Sequence, residues 1–174
     1  IHTLNQSGLF FKTARIFEQL SLETIDSNIH TTNDGQYAMN TFICKHKVLG
    51  SNLIQRDVQN IEQKIISEIS ASTLTETSKP KKQNRKIFQH ATRIAISATP
   101  SQDASLITLE TLDQPALLSK VANIFLDHGV SIISARITTL GEKVEDNFTV
   151  IDGKTKSKIS QNKSNLISKK LKNL

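Results

Sequence analysis

The sequence predicts an α+β protein built from two copies of one β-α-β-β-α-β unit, each an antiparallel sheet with two helices on one face. Three observations support this prediction. A stretch near the N-terminus recurs 108 residues later, each copy has an apolar stripe at helical spacing, and each copy continues with two segments of period-two alternation. We expect a first unit at 1–69, a polar basic linker at 70–86 and a second unit at 87–174.

The repeat is visible without gaps over its first part. The segment LNQSGLFFKTARIFEQLSLETIDSNIHT, from Leu4, aligns with LDQPALLSKVANIFLDHGVSIISARITT, from Leu112, and ten aligned positions are identical. After the next turn, an offset of 106 residues brings Asn40 over Asp146. So many identities over so short a stretch indicate two copies of one unit.

Each copy begins with a predicted amphipathic helix. Its apolar stripe consists of Leu9, Thr13, Ile16, Phe17 and Leu20, or of Leu117, Val121, Ile124 and Phe125. Asn5 and Ser7 are expected to cap the first helix, because such side chains accept hydrogen bonds from free N–H groups. Asp113 and Pro115 are start signals for the second, which Gly129 is expected to end.

Period-two alternation follows each helix and predicts a β-hairpin. The first strand carries Ile25, Ser27, Ile29 and Thr31, or Ile133, Ala135, Ile137 and Thr139. After a turn at 33–35 or 140–142, the second strand carries Ala38, Asn40, Phe42 and Cys44, or Val144, Asp146, Phe148 and Val150.

A second helix is predicted after each hairpin. Its apolar face consists of Val58, Ile61, Ile65 and Ile69, or of Leu166, Ile167, Lys170, Leu171 and Leu174. Residues 93–97 and 105–110 are predicted strands, whereas only 1–3 remain of the first strand of copy one. The predicted units are therefore ferredoxin-like, with that strand truncated. Units of about 70 residues bury little core, so we expect the two sheets to pack side by side.

The net charge of +6 is concentrated in two windows. Residues 76–93 and 154–174 hold 13 of the 22 basic residues and one of the 16 acidic ones, which leaves the rest of the chain at −6. We interpret the windows as a solvated linker and a Lys-rich terminal helix. The folded part is acidic, so we predict neither a nucleic acid nor a membrane as partner.

The sequence shows no pattern of catalytic or metal-ligating residues. The five histidines lie apart, and there is no GxSxG, P-loop or HExxH motif and no pair of nucleotidyltransferase aspartates. Glu145 and Asp146 should point to opposite faces of their strand and so cannot act as a carboxylate pair. Cys44 is expected to be an inert small hydrophobe. We therefore expect no catalysis and no cofactor from these residues.

The single cysteine also bears on location. Cys44 cannot form an internal disulfide, and no apolar run approaches the roughly 18–20 residues of a membrane span. We expect a cytoplasmic protein. Because the chain begins at Ile1 without an initiator Met, we also expect it to be part of a longer one.

The loop before each first helix is the candidate binding feature. A helix N-terminus presents free N–H groups and positive partial charge, so it can receive a carboxylate. The loops are Asn5-Gln6-Ser7-Gly8 and Asp113-Gln114-Pro115-Ala116. We expect the first to receive an anion better, because Pro115 has no N–H and Ala116 adds a methyl group.

These segments resemble a known family. The run TLDQPALLSKVANIFLDHGVSIISARITTLGEKVEDNFTV, from Thr111, resembles the second ACT domain of the bifunctional uridylyltransferase/uridylyl-removing enzymes, where a D-Q/R-P-G-L-L helix start precedes ARITT-GE-VED-F. The run LSLETIDSNIHTTNDGQYAMNTFIC resembles the first ACT domain, whose hairpin carries TT-DG-A-DTF. Both runs lie in the family's order and, with the basic linker, cover nearly the whole chain.

The resemblance implies a C-terminal regulatory module that senses glutamine in nitrogen regulation. In the family, this module controls domains that transfer UMP from UTP to the PII signal protein and remove it, with Mg²⁺ or Mn²⁺; neither domain lies in these 174 residues. We take as effector-binding residues Asn5, Gln6, Ser7, Gly8, Leu9 and Asn28 in the first unit, and Asp113, Gln114, Pro115, Ala116, Leu117 and Arg136 in the second. The family usually has Gly where this chain has Ala116, and Asp where it has Asn40. We expect Asn40 to occupy a surface-facing position of its strand.

Three other functions are compatible with the predicted fold. The chain could be a tandem ACT sensor from another amino-acid-regulated protein, such as a transcriptional regulator. It could be an interaction domain that binds no small molecule. An RNA-binding module of the same element order would need two or three aromatic residues on adjacent strands, whereas each copy offers one, Phe42 or Phe148. The alternation of their strands predicts that these two residues lie in the core.

Overall fold

A computed structural model describes residues 1–50, 52–71, 92–100 and 103–174. Most of the predicted linker lies outside these residues. The strands are β1 (His2–Leu4), β2 (Leu22–Thr31), β3 (Tyr37–His46), β4 (Arg93–Ala98), β5 (Ser105–Leu112), β6 (Val130–Leu140) and β7 (Lys143–Asp152). The helices are α1 (Leu9–Gln19), α2 (Gln55–Ser70), α3 (Leu117–Asp127) and α4 (Gln161–Lys172). None of these helices is long and apolar enough to cross a membrane.

The seven strands form one antiparallel sheet in the order β1-β3-β2-β6-β7-β5-β4. The predicted α+β class with two ferredoxin-like units is thus compatible with the structure. The two halves meet where β2 pairs with β6, and Asn28 lies opposite Arg136 at the centre of that pairing. Two side-chain bonds flank it symmetrically: Thr31 Oγ1 donates to the Ile132 carbonyl at 3.0 Å, and Thr139 Oγ1 to the Thr24 carbonyl at 3.2 Å.

The edge of the second half differs from the predicted β-α-β-β-α-β order. In that order, the strand beside the first strand of a unit follows the unit's second helix. Here β4 lies beside β5, although β4 precedes β5 in the chain and follows α2 of the first half. A short connection joins β4 to β5, so the two strands form a hairpin. Strands that are adjacent in the chain usually pair, which explains why β4 lies beside β5.

A β-bulge interrupts the predicted alternation at the same place in both halves. The register of β2 shifts between Thr24 and Asp26, and that of β6 between Ile132 and Ser134. The extra residues are Ile25 and Ile133, so the expectation that both share a face with the rest of their strand was wrong. A bulge gives two residues to one partner and reverses the alternation beyond it.

Helices α1, α3 and α4 pack on one face of the sheet and α2 packs beside α1, which gives the lateral order α2-α1-α3-α4. Beneath them, a core of apolar side chains runs through both halves, with the fully buried Phe148 near its centre. Phe148 makes edge-to-face contacts with Phe125 of α3 at 5.1 Å and with Phe10 of α1 at 6.1 Å, measured between ring centroids. The prediction that Phe148 is a core residue is therefore confirmed.

Helix α2 is the least buried of the four helices. Its predicted apolar face contains no fully buried residue, and Val58 is 52% exposed. Lys12 of α1 extends to the C-terminal end of α2, where its Nζ donates to the carbonyl of Ile69 at 3.0 Å and to that of Ala71. A lysine in this position satisfies free carbonyl groups and opposes the negative end of the helix dipole.

Candidate functional site

The first loop ends in a backbone turn instead of a side-chain cap. The N-cap residue of α1 is Gly8, at φ 79° in the left-handed region, and no side chain caps the helix. The expectation that Asn5 and Ser7 cap it was therefore wrong, and the Asn5 amide donates to the Gly35 carbonyl at 3.0 Å. The Leu9 N–H bonds the Gln6 carbonyl at 3.1 Å, so it is not available to a ligand. Helix geometry leaves the next N–H groups, of Phe10 and Phe11, without intrahelical acceptors.

The second loop has the same shape at a higher conformational cost. The N-cap residue of α3 is Ala116, at φ 62°, and again no side chain caps the helix, so Asp113 does not act as a cap. A residue with a Cβ pays roughly 1–2 kcal/mol for this left-handed conformation, which glycine adopts freely. The backbone therefore favours glycine at this position of the turn, as at Gly8.

Ala116→Gly should accordingly stabilise the protein by about 1 kcal/mol, because it removes that strain. Thermal denaturation followed by circular dichroism should show a rise in Tm of about 2–4 °C for a chain of this size. The matched control is Ala122→Gly in the interior of α3, which should lower Tm, since glycine is unfavourable within a helix. An unchanged or lower Tm for Ala116→Gly would show that the left-handed turn is not strained.

The first loop borders a cavity of about 410 Å³ between the two halves, which we call the first cavity. This volume lies within the roughly 300–1,000 Å³ typical of small-molecule sites. Its first-half lining comes from the loop, the start of α1 and strands β2 and β3. Its second-half lining comes from α3, from residues 129–132 and from residues 153–156. Two lysines, Lys154 and Lys156, and no carboxylate belong to the lining.

Asn40 of β3 lies in the wall of this cavity and is 4% exposed. The expectation that it faces the surface was wrong, because the alternation of β3 places it on the same face as Ala38 and Phe42. Its side-chain Oδ1 has no hydrogen-bond partner in the described structure. Nearly all buried polar groups in proteins are paired, so an unsatisfied acceptor on the wall of a cavity is an exception that a bound ligand would explain.

The turn carrying the two lysines is fixed by Asp152. Its carboxylate accepts from the Lys163 Nζ at 2.5 Å and from the backbone N–H of Lys154 at 2.8 Å. These bonds, with that of Lys163 first, lower the pKa of Asp152 to about 2. The adjacent Gly153 packs so tightly that a Cβ there would lie 2.9 Å from the Gly129 carbonyl oxygen. The mouth of the first cavity is therefore shaped by the second half of the chain.

The second loop borders a smaller cavity of about 80 Å³, the second cavity, in the pseudo-equivalent place. Four carboxylates line it, those of Glu18, Glu23, Asp113 and Asp146, with the single cation Lys47. Lys47 stands where the first cavity has Gly153. No group of three His, Cys, Asp or Glu in the described part of the chain could hold a metal ion.

Two aspartates of the second cavity, Asp146 and Asp113, have raised pKa values. Asp146 is 1% exposed, and desolvation raises its pKa to about 7, opposed by a hydrogen bond of 3.4 Å from the Thr138 N–H. Burial also raises the pKa of Asp113, and the neighbouring Glu23 carboxylate adds to the effect. These carboxylates resist ionisation because little water and few donors reach them.

The structure gathers most of the predicted site residues into two separate places. Asn5, Gln6, Ser7, Gly8 and Leu9 line the first cavity. Asp113, Gln114, Ala116 and Leu117 line the second, whereas Pro115 does not. Asn28 and Arg136 line neither cavity: both are exposed on the sheet face away from the helices, where Arg136 pairs with Asp26 at 3.0 Å.

Sequence reasoning missed Asn40 and the two lysines. Asn40 alternates with Phe42, which was predicted to be a core residue, and this signal would have placed it inside. Lys154 and Lys156 were assigned to a solvated basic tail, and nothing in the local sequence relates them to a loop about 150 residues away.

Comparisons with known proteins support one family. The chain is 33% identical over 177 residues to the bifunctional uridylyltransferase/uridylyl-removing enzyme of Psychrobacter cryohalolentis, an alignment that covers the whole chain and 18% of that protein. The chain matches part of the bifunctional uridylyltransferase/uridylyl-removing enzymes. The enzyme of Nitrosospira multiformis is 29% identical over 86% of the chain, and that of Burkholderia mallei 30% over 88%.

These matches confirm the resemblance seen in the sequence. The chain spans 17–18% of the length of these uridylyltransferase/uridylyl-removing enzymes. A scan against protein-family models gave no match. A search of solved structures gave none either.

Proposed function

We propose that the chain is the C-terminal, glutamine-binding regulatory module of a bifunctional uridylyltransferase/uridylyl-removing enzyme, formed by two ACT domains. The observation that carries the proposal is the first cavity, which combines the N-terminus of α1, an unsatisfied buried amide and two lysines between the two halves. A free amino acid offers a carboxylate that the N-terminus of α1 can bind. It also offers hydrogen-bond donors that the side-chain amide oxygen of Asn40 can accept.

The first cavity suits a carboxylate better than the second does. Its lining has a formal charge of +2, whereas the second cavity's lining sums to −3 when all its acids are ionised. The second cavity is also about five times smaller and contains the Lys47 side chain. We therefore propose one glutamine per chain.

The position of the first cavity between the two halves suggests how ligand binding would affect the rest of the enzyme. A ligand in the first cavity would contact α1 of one half and the turn at 152–157 of the other, so it would favour one arrangement of the pair. In the full-length enzyme, we propose that glutamine binding favours removal of UMP from PII over its transfer from UTP. The UTP and the Mg²⁺ or Mn²⁺ would act on catalytic domains elsewhere in that enzyme.

Isothermal titration calorimetry with L-glutamine tests the proposal on the 174-residue chain. We expect saturable binding at one ligand per chain and a rise in Tm, because a ligand at one hundred times its Kd adds about 2.7 kcal/mol of stability. L-Glutamate is the control, since it differs only in the side-chain amide, and should bind more weakly. Absence of heat at millimolar glutamine, on protein shown to be folded, would favour an interaction domain without a ligand.

A further inference from the structure

The backbone of Asn40 fixes the face of the sheet on which its side chain lies. Its N–H donates to the Ile1 carbonyl, and its carbonyl accepts from the Ile1 nitrogen, both at 2.8 Å. On its other side, Asn40 lies opposite Ile29 of β2. Held between two strands, the residue directs its amide to the helix-covered face and the first cavity. The unsatisfied Oδ1 lies in the wall of that cavity, where no donor of the described residues bonds it.

The surroundings of Asn40 determine which donor fits it. Among the residues that the structure describes, no carboxylate lines the first cavity, and the charged side chains of its lining are the two lysines at 154 and 156. An ammonium placed against Asn40 would be buried beside a neutral acceptor without a counter-charge, which is costly. A neutral N–H donor bonds the same oxygen without that cost.

From this geometry we propose that Asn40 recognises the side-chain carboxamide of the ligand and is the residue that separates glutamine from glutamate. The inference rests on the proposed function, because it assumes an amino acid in the first cavity. The glutamine carboxamide supplies a neutral N–H, whereas the glutamate carboxylate supplies none and leaves Oδ1 unpaired. A site built around a buried hydrogen bond rejects the analogue that cannot make it.

A two-by-two binding cycle tests this role. Wild type and Asn40→Leu, which has a similar shape and no acceptor, are titrated with L-glutamine and with L-homoleucine, its apolar isostere. Asn40→Leu should weaken glutamine binding by about thirtyfold or more, the effect of leaving one buried group unpaired. The same variant should bind homoleucine more tightly than wild type does, because both partners are then apolar. It should also lose the preference for glutamine over glutamate.

The stability of the ligand-free protein gives a second readout. Asn40→Leu removes an unsatisfied buried acceptor, so its Tm should rise by a few degrees. A lower Tm would mean that Asn40 is a structural group and would overturn the inference, whether or not glutamine binds. For a variant that misfolds, Asn40→Asp at pH 8.5 keeps the acceptor and the size. It should retain glutamine binding within a few-fold and exclude glutamate further.

The control is Asp146→Asn, the pseudo-equivalent position in the second cavity, which should leave glutamine affinity unchanged. If wild type binds glutamine and Asn40→Leu binds it equally well, the role of Asn40 is overturned and the proposed function stands. If wild type binds no glutamine, the proposed function fails and this inference fails with it.

Discussion

Asp146→Asn should stabilise the ligand-free protein by up to about 4 kcal/mol at pH 8.5 and by very little at pH 4. The folded-state pKa of Asp146 is raised to about 7 by desolvation, from 3.8 for an exposed carboxyl group. Between these values the unfolded chain has released a proton that the folded protein retains, so stability falls as pH rises. Above pH 7 the penalty is complete, and an amide of the same shape avoids it.

Urea denaturation at a series of pH values measures this effect. The difference between variant and wild type should grow from pH 4 to pH 7 and then remain constant. Glu145→Gln is the matched control, because Glu145 is the exposed neighbour on the opposite face of β7, and it should show no such pH dependence. A variant that is no more stable at pH 8.5 than at pH 4 would mean that Asp146 is ionised and solvated in the folded state.

Phe148→Ala should destabilise the protein by about 3–5 kcal/mol, the usual cost of truncating a buried aromatic side chain. Phe148 is fully buried, and its ring contacts one aromatic residue from α1 and one from α3. The substitution would therefore leave a cavity at the point where the helices of both halves meet the sheet. It would also remove two edge-to-face contacts.

The equivalent residue in the first half supplies the comparison. Phe42 is only half-buried and contacts Phe17 at 4.8 Å, so Phe42→Ala should cost less than Phe148→Ala. Urea midpoints and m-values for both variants give the two free energies of unfolding. Equal costs would indicate that the cores of the two halves contribute equally, contrary to the burial seen here.

The two halves share a fold but have diverged at the positions that line their cavities. Asn40 is aligned with Asp146, Gly8 with Ala116, and Gly153 with Lys47. Each difference makes the first cavity larger or less acidic than the second. These differences are compatible with the proposal that the ligand binds in the first cavity and not in the second.

The sequence by itself determined the helices, the hairpins and much of the core. These features depend on residues close in the chain, because an amphipathic stripe or an alternation is complete within about 10 to 15 residues. The burial of Phe148 and the opposite orientation of Glu145 and Asp146 followed from period two alone. The two helix-start loops were likewise located by the repeat.

Tertiary structure decided the rest, and each missed feature depends on distant residues. The left-handed residues at Gly8 and Ala116, the β-bulges at Ile25 and Ile133, and the pairing of β4 with β5 follow from how elements fit together. The first cavity is the clearest case, since a loop at residues 5–9 meets lysines of the turn at 152–157 only after β2 and β6 have paired. Asn40 combines both cases: the alternation it shares with Phe42 was enough to place it inside, whereas its unpaired Oδ1 and the cavity beside it exist only in the packed chain.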